Sequence, residues 1–347
     1  MLKALSWAVL LAATLTASAE SVASDRPTFV ATNYGRPRTL VAVDGPRRLN
    51  LVCVGRGNTT VVFLSGLGGG TFDWRKVQPA IGRATRACAY DRVGYGFSDP
   101  ATAPSDVSGT IADLHALLHS KAITAPVILV GHSLGGLYAT SYALRYPRDV
   151  AGMVLVEPAF SGQAGEIARA VGPAAAGRME AMNRQTIVVL DRCVALAVSG
   201  RLSLPAEHAS ECLDNPADPD SDVHRERNRE AKRAAFQLAL RSEYEMANIT
   251  GADGLTRDDH QTGSAGVTLG AMPLAILTRG ESEALSGLSA DEIAKAELAW
   301  RAGHDRLARL STVGTNTIVP RARHFVQLDR PDAVIAPILR VVSEVQH

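Results

Sequence analysis

Apolar residues along the chain follow two rhythms, and where each holds predicts the elements. Thr39 to Val43 and Arg48 to Val54 alternate apolar and polar positions around Asp44-Gly45-Pro46, which predicts a hairpin-like pair of strands. Val61 to Leu64 is an unbroken apolar run, as in a strand covered on both faces. A helical stretch from about Trp74 to Ile81 leads to a short strand, Ala87 to Tyr90. Ile111, Leu114, Leu117 and Leu118 then repeat at helical spacing ahead of the strand Val127 to Val130. Leu137, Tyr138, Tyr142 and Ala143 line one face of a helix that stops near Tyr146-Pro147, and Met153 to Val156 is the next strand.

From about Phe160 to Gly270 this strand–helix rhythm breaks. The segment reads as mostly helical, with an apolar stripe at Phe236, Leu240 and Tyr244 and a charged run, Arg225 to Arg233, expected to be a solvated face. The rhythm resumes with Leu274 to Leu277, a polar helix around Ala290 to Leu310, and Thr317 to Val319. Pro331 and Asp332 open a last helix whose buried face is Val334, Ile335, Ile338, Leu339 and Val342. The expectation is an α/β fold, a mainly parallel sheet flanked by helices, with a mostly helical cap inserted between core strands.

Composition changes the picture at the N-terminus. Lys3 precedes an apolar run from Ala4 to about Leu15, and Ala17-Ser18-Ala19 offers small residues at a cleavage position, the pattern of a secretory signal peptide. The run is too short, and too rich in alanine and threonine, for a lasting membrane span. The expected organisation is therefore a signal peptide at 1–19, an extension at 20–38, core at 39–159, cap at 160–270 and core again at 271–347. A periplasmic or secreted location follows, with no stable membrane span after cleavage. Among 347 residues, 36 Lys and Arg against 35 Asp and Glu leave a net charge of +1. Nothing in that balance suggests nucleic acid as a partner. Four cysteines in an exported chain point to disulfides, and their spacing alone leaves three connectivities open.

Candidate chemistry centres on Val127-Ile128-Leu129-Val130-Gly131-His132-Ser133-Leu134-Gly135-Gly136. A strand feeding Gly-x-Ser-x-Gly and then a helix is the pattern of a nucleophile elbow, which lifts a serine on a cramped turn. Side chains two residues before and after Ser133 would collide with that turn, so glycine is required at 131 and 135. A loop that happens to contain these residues is the plain alternative, and the flanking strand and helix argue against it. A serine hydroxyl needs a base, and His324 lies between the last predicted strand and the last helix. His132 sits in the motif slot beneath the elbow, while His115 and His119 ride a helix. Asp91-Arg92 reads as a loop-fixing pair beside the site. Neither His-Glu-x-x-His nor paired Cys-x-x-Cys occurs, so no metal is expected, and no cofactor is needed.

Four pieces together resemble the α/β-hydrolase fold family, specifically capped serine hydrolases and esterases with an Asp-Arg-x-Gly-x-Gly-x-Ser loop. They are Ser65-Gly66-Leu67-Gly68-Gly69, Asp91-Arg92-Val93-Gly94-Tyr95-Gly96-Phe97-Ser98, Gly131 to Gly136, and His324-Phe325-Val326-Gln327. The resemblance covers residues 39–345 apart from the cap. It implies Ser133 as nucleophile and His324 as general base, with an acid at the end of one of two core strands. Glu157 is the first candidate, with Glu283 and Glu281 as alternatives. It implies an oxyanion hole from the N–H groups of Leu67 and Leu134. It also implies neighbouring strands for Cys53 and Cys88, hence bridges Cys53–Cys88 and, within the cap, Cys193–Cys212.

Two departures stand out. Many relatives have His-Gly where this chain has Ser65-Gly66, and the usual acid is aspartate. Relatives that cleave epoxides place an aspartate where Ser133 stands. The expected activity is hydrolysis of a partly apolar small-molecule ester, with Ile187, Val188, Leu196 and Phe236 of the cap either facing substrate or docking the cap. A binding module without catalysis, an acyltransferase, and amide, lactone or carbon–carbon bond hydrolysis are the alternatives.

Overall fold

The structure, a computed structural model, describes residues 32–203, 211–213, 221–262, 266–283 and 287–346. The expected signal peptide and residues 20–31 of the extension lie outside them. Eight strands form one sheet: β1 (Thr39–Asp44), β2 (Arg47–Val54), β3 (Thr60–Leu64), β4 (Arg86–Tyr90), β5 (Val127–His132), β6 (Val150–Val156), β7 (Leu274–Arg279) and β8 (Thr315–Val319). Their order is β1-β2-β4-β3-β5-β6-β7-β8. The first two pairings are antiparallel and the rest parallel.

The unbroken apolar runs follow from that burial. On one face Val62, Leu64, Leu129, Met153 and Leu155 pack under the helices Val107–Leu118 and Leu134–Arg145. On the other, Val61, Phe63, Ile128, Val130, Val154 and Val156 meet Trp74, Ile81, Val334, Ile338 and Val342. Alternate residues of each strand therefore feed two separate cores, and neither face can be polar. Edge strand β8 has one covered side and reads as polar and exposed up to Val319.

The helix Ala290–Ala308 opens on a capping box between Ser289 and Glu292, and Pro331 occupies the first turn of the final helix, Pro331–Glu344. Cys53 and Cys88 stand directly opposite each other in the β2–β4 ladder and are bonded, as are Cys193 and Cys212 in the cap.

Between β6 and β7 the chain forms the helices Gln163–Val171, Pro173–Val198, Ser221–Ala231 and Ala234–Asn248, the inserted cap. One expectation for it fails. The charged run 225–233 is solvated only in part, at Arg225 and Lys232, because Ser221–Ala231 lies on core loops. Glu230 is buried, Arg229 stacks over Phe97 at 4.1 Å, and Arg233 bonds to the Gly96 carbonyl. Phe236 packs edge-on against Tyr95 of the core and Leu196 is buried inside the cap, so both dock structure, while Val188 is exposed. Among the described residues no helix is long and apolar enough to cross a membrane.

Candidate active site

Strand β5 ends at His132 and the next helix starts at Leu134, so the chain turns within Ser133. Ser133 adopts φ 52° and ψ −123°, a left-handed backbone that costs about 1–3 kcal/mol for a residue with a side chain. Three hydrogen bonds hold it there. Ser133 N donates to Val156 O at 3.1 Å, while Gly136 N and Ala159 N donate to Ser133 O at 2.8 and 2.9 Å. The flanking glycines are steric necessities. A Cβ on Gly131 would lie 2.4 Å from the Gly135 carbonyl oxygen, and one on Gly135 would lie 2.3 Å from that of Leu64. Leu134 is the first residue of its helix, where an N–H has no intrahelical acceptor and the helix dipole favours negative charge.

The loop after β3 crosses beside this bend. A Cβ on Gly66 would approach the Ser133 Cβ to 3.0 Å. Arg92 fixes the loop, donating through Nη1 to the Ser65 carbonyl at 2.7 Å and through Nη2 to the Gly66 carbonyl at 2.8 Å. In a trans peptide the C=O and N–H point in opposite directions. With the Gly66 carbonyl turned to Arg92, the Leu67 N–H therefore points away from Arg92. Ser65 donates from Oγ to Gly70 O at 2.8 Å and accepts from Trp74 Nε1 at 3.1 Å. Asp91 acts separately, accepting from Thr71 N and Asn50 Nδ2, each at 2.8 Å.

Arg92 is itself buried, and its partner comes from the cap. Glu243, in Ala234–Asn248, accepts from Arg92 Nε and Nη2 at 2.8 and 2.9 Å, Tyr95 Oη at 2.8 Å, Tyr138 Oη at 3.1 Å and Gly68 N at 3.3 Å. Burial works against the Arg92 charge, but Glu243 and the two tyrosines outweigh it and its pKa is raised. The cap and the loop after β3 thus share one buried ion pair. Sequence analysis missed Glu243, although a faint signal existed: it lies seven residues after Phe236 and three after Leu240, on the apolar stripe.

His324 sits in the loop after β8, and its backbone is tied to the elbow. His132 Nε2 lies 2.9 Å from the His324 carbonyl, which can only accept, so that nitrogen carries the proton. Burial holds His132 well below the ordinary histidine range, so it is neutral. Burial also lowers the His324 pKa; the charge of Glu283 opposes this and that of Arg279 adds to it.

The three candidate carboxylates are placed differently. Glu157 is fully buried, with its Oε2 accepting from Arg279 N at 2.7 Å and its Oε1 bonded to Trp300 Nε1 at 2.7 Å and to the Arg279 guanidinium. Burial pushes its pKa up to about 7 against the pull of Arg279 and Trp300. Arg279 also bonds Glu297 at 2.6 Å. Glu157 is thus committed to an ion network that sequence analysis did not foresee. Glu283, by contrast, accepts from His324 N at 2.9 Å. Glu281 is exposed, its N–H bonded to Ala322 O at 3.0 Å. Ser133, Glu157 and Arg321, at φ 52°, 48° and 59°, are the non-glycine residues with left-handed φ among those described. The backbone strain gathers around this site.

A family model described as the alpha/beta hydrolase fold matches residues 59–189. The chain is 34% identical over 107 residues to a (lyso)-N-acylphosphatidylethanolamine lipase of Bos taurus, covering 30% of this chain and 31% of that protein. It is 34% identical over 129 residues to a 2-hydroxy-6-oxo-2,4-heptadienoate hydrolase of Pseudomonas putida, covering 36% of this chain and 46% of that protein. The matched segments thus span less than half of either relative. Among solved structures, an epoxide hydrolase of Bacillus megaterium superposes with a TM-score of 0.62 at 16% identity, over 88% of this chain and all of that one.

Proposed function

The chain has the α/β-hydrolase fold, and on that footing we propose that it is an exported serine hydrolase cleaving a carboxylic ester. The observation that carries this reading is Ser133 itself, held at φ 52° where a strand meets a helix. Its hydroxyl attacks the acyl carbon as His324 takes the proton, and His324 then passes that proton to the alcohol oxygen as the ester C–O bond breaks and the alcohol leaves. The Leu134 and Leu67 N–H groups stabilise the oxyanion, and water then releases the acyl group. We assign the orienting carboxylate to Glu283 rather than Glu157, because Glu283 bonds the His324 segment while Arg279 and Trp300 engage both oxygens of Glu157. Export is supported by the two disulfides. Epoxide hydrolysis is disfavoured because a serine, not an aspartate, occupies position 133.

Glu283→Gln is expected to lower kcat about 10⁴-fold, as removal of a triad acid does elsewhere. Glu157→Gln is expected to act chiefly on the unfolding midpoint, by leaving Arg279 without that charge. Steady-state kinetics and urea unfolding of both variants check this, and the reverse ranking would reassign the acid.

The pH profile carries a further expectation. His324 must be neutral to accept a proton, and its pKa is lowered, so kcat/KM should rise with pH through a limb below 6.5 and then level off. An acid limb above 6.5 would contradict that environment.

The match to a 2-hydroxy-6-oxo-2,4-heptadienoate hydrolase favours a second reading, hydrolysis of a dienoate substrate. Product analysis separates the two: carbon–carbon cleavage of a dienoate with no turnover of p-nitrophenyl esters would replace the ester assignment.

A further inference from the structure

His115 and His119 lie four residues apart at the end of the helix Val107–Leu118, so their side chains share one face. The turn Pro147–Asp149 brings a carboxylate to the same place. Among the described residues these three form a group whose potential ligand atoms all lie within 4.8 Å of one another. Asp149 Oδ2 is 3.4 Å from His115 Nδ1, and Asp149 Oδ1 is 3.6 Å from His119 Nε2. Two donors at Zn–N and Zn–O lengths on a tetrahedral ion stand roughly 3.3–3.5 Å apart. The carboxylate therefore already holds near-ligand spacing to both imidazoles.

A second, independent observation concerns protons. His119 Nδ1 lies 3.0 Å from the His115 carbonyl. A carbonyl only accepts, so Nδ1 carries the hydrogen, and in the neutral ring Nε2, the atom facing Asp149, is the one with the lone pair. A backbone carbonyl fixing the tautomer of a histidine in this way is the usual support behind a metal ligand. Tyr142 orients the carboxylate, donating its hydroxyl to Asp149 Oδ2 at 2.7 Å, and therefore accepts from His115 Nδ1 at 3.0 Å, a bond that this nitrogen gives up when it ligates. His115 is further held by stacking on Tyr146, with ring centroids 4.1 Å apart and planes at 17°.

We propose that His115 Nδ1, His119 Nε2 and an Asp149 oxygen bind a divalent transition-metal ion of the zinc class, with a fourth position open to solvent. His115 then takes the Nε2–H tautomer, so no proton is lost from the ring. Two imidazoles with one carboxylate suit Zn²⁺ or Co²⁺ and not the oxygen-preferring Mg²⁺ or Ca²⁺. The site is not catalytic. Ser133 precedes the helix Leu134–Arg145 and Tyr142 lies near its other end, and a 12-residue helix is roughly 18 Å long. The ion instead staples that helix and its following turn to Val107–Leu118.

The test is equilibrium dialysis of the tag-free full chain against ZnCl₂ with elemental analysis, plus the visible spectrum of the Co²⁺ form. One equivalent per chain is expected, with a tetrahedral cobalt band and a Tm raised by Zn²⁺. His119→Ala and His119→Gln should each weaken binding at least ten-fold and abolish the Tm response. His115→Ala should weaken it as well. Ser133→Ala should bind as the parent does, which separates this claim from the catalytic one. No uptake above the buffer control would overturn the proposal. Equal uptake by both His119 variants, or equal binding of Mg²⁺, would do the same.

Discussion

Ser133→Ala should lose about 10⁵–10⁶-fold in kcat toward p-nitrophenyl esters, the scale on which removing a triad nucleophile acts. The protein should still fold. Alanine meets the left-handed bend with the same Cβ as serine, and the bend is held by backbone bonds to Val156, Gly136 and Ala159, none of which uses the hydroxyl. Residual turnover above water would come from the oxyanion donors and binding alone. A fluorophosphonate probe gives a second readout: the parent should carry one adduct, on Ser133, and the variant none. Parent-like rates in the variant would remove the serine mechanism. A folded parent that takes no label would leave a binding module on the same scaffold.

The largest stability effect should come from Glu243→Ala. Arg92 and Glu243 are 5% and 1% exposed at the side chain, so deleting the carboxylate strands a guanidinium away from water. Breaking such a pair from one side costs about 3–5 kcal/mol, against a total stability of about 5–15 kcal/mol for a typical domain. Tyr95, Tyr138 and Gly68 N lose their acceptor as well. Urea unfolding should show a lower midpoint. Activity measured below that midpoint should fall mainly in kcat, because Arg92 sets the Gly66 carbonyl and through it the Leu67 N–H. Glu243→Gln keeps an acceptor without the charge and should fall between the two. An unchanged midpoint in Glu243→Ala would show that cap and loop are held by other contacts.

The elbow was legible along the chain because its causes are local. Gly131, Ser133 and Gly135 occupy one turn, and the collisions that exclude other residues involve atoms within that turn and the adjoining β3. The core strands were legible for a similar reason: burial on two faces leaves β3, β5 and β6 apolar except at Thr60 and His132, at the ends of the first two. The position of His324 between the last strand and last helix was equally readable.

Partnership over long separations was not. Glu157, Glu281 and Glu283 all follow core strands, and no periodicity distinguishes them. What differs is that β7 brings the Arg279 guanidinium onto Glu157, while a loop carries Glu283 to the His324 backbone. The run 225–233 looks solvated because its charges are many. It is partly buried because the cap lays it across core loops, where Glu230 is hidden from solvent. His115 and His119 announce a shared helix face, yet the carboxylate that completes the group arrives from a turn beyond the next helix.

Chain order and hydrophobic period therefore specify the strands, the helices and the strained serine, since those rest on neighbours a few residues apart. Folding in three dimensions selects which buried charges meet: Arg92 with Glu243 across 151 positions, and Arg279 with Glu157 across 122. A carboxylate in a dry interior must find a cation or a donor, and only the packed arrangement of cap, sheet and loops determines which one is within reach.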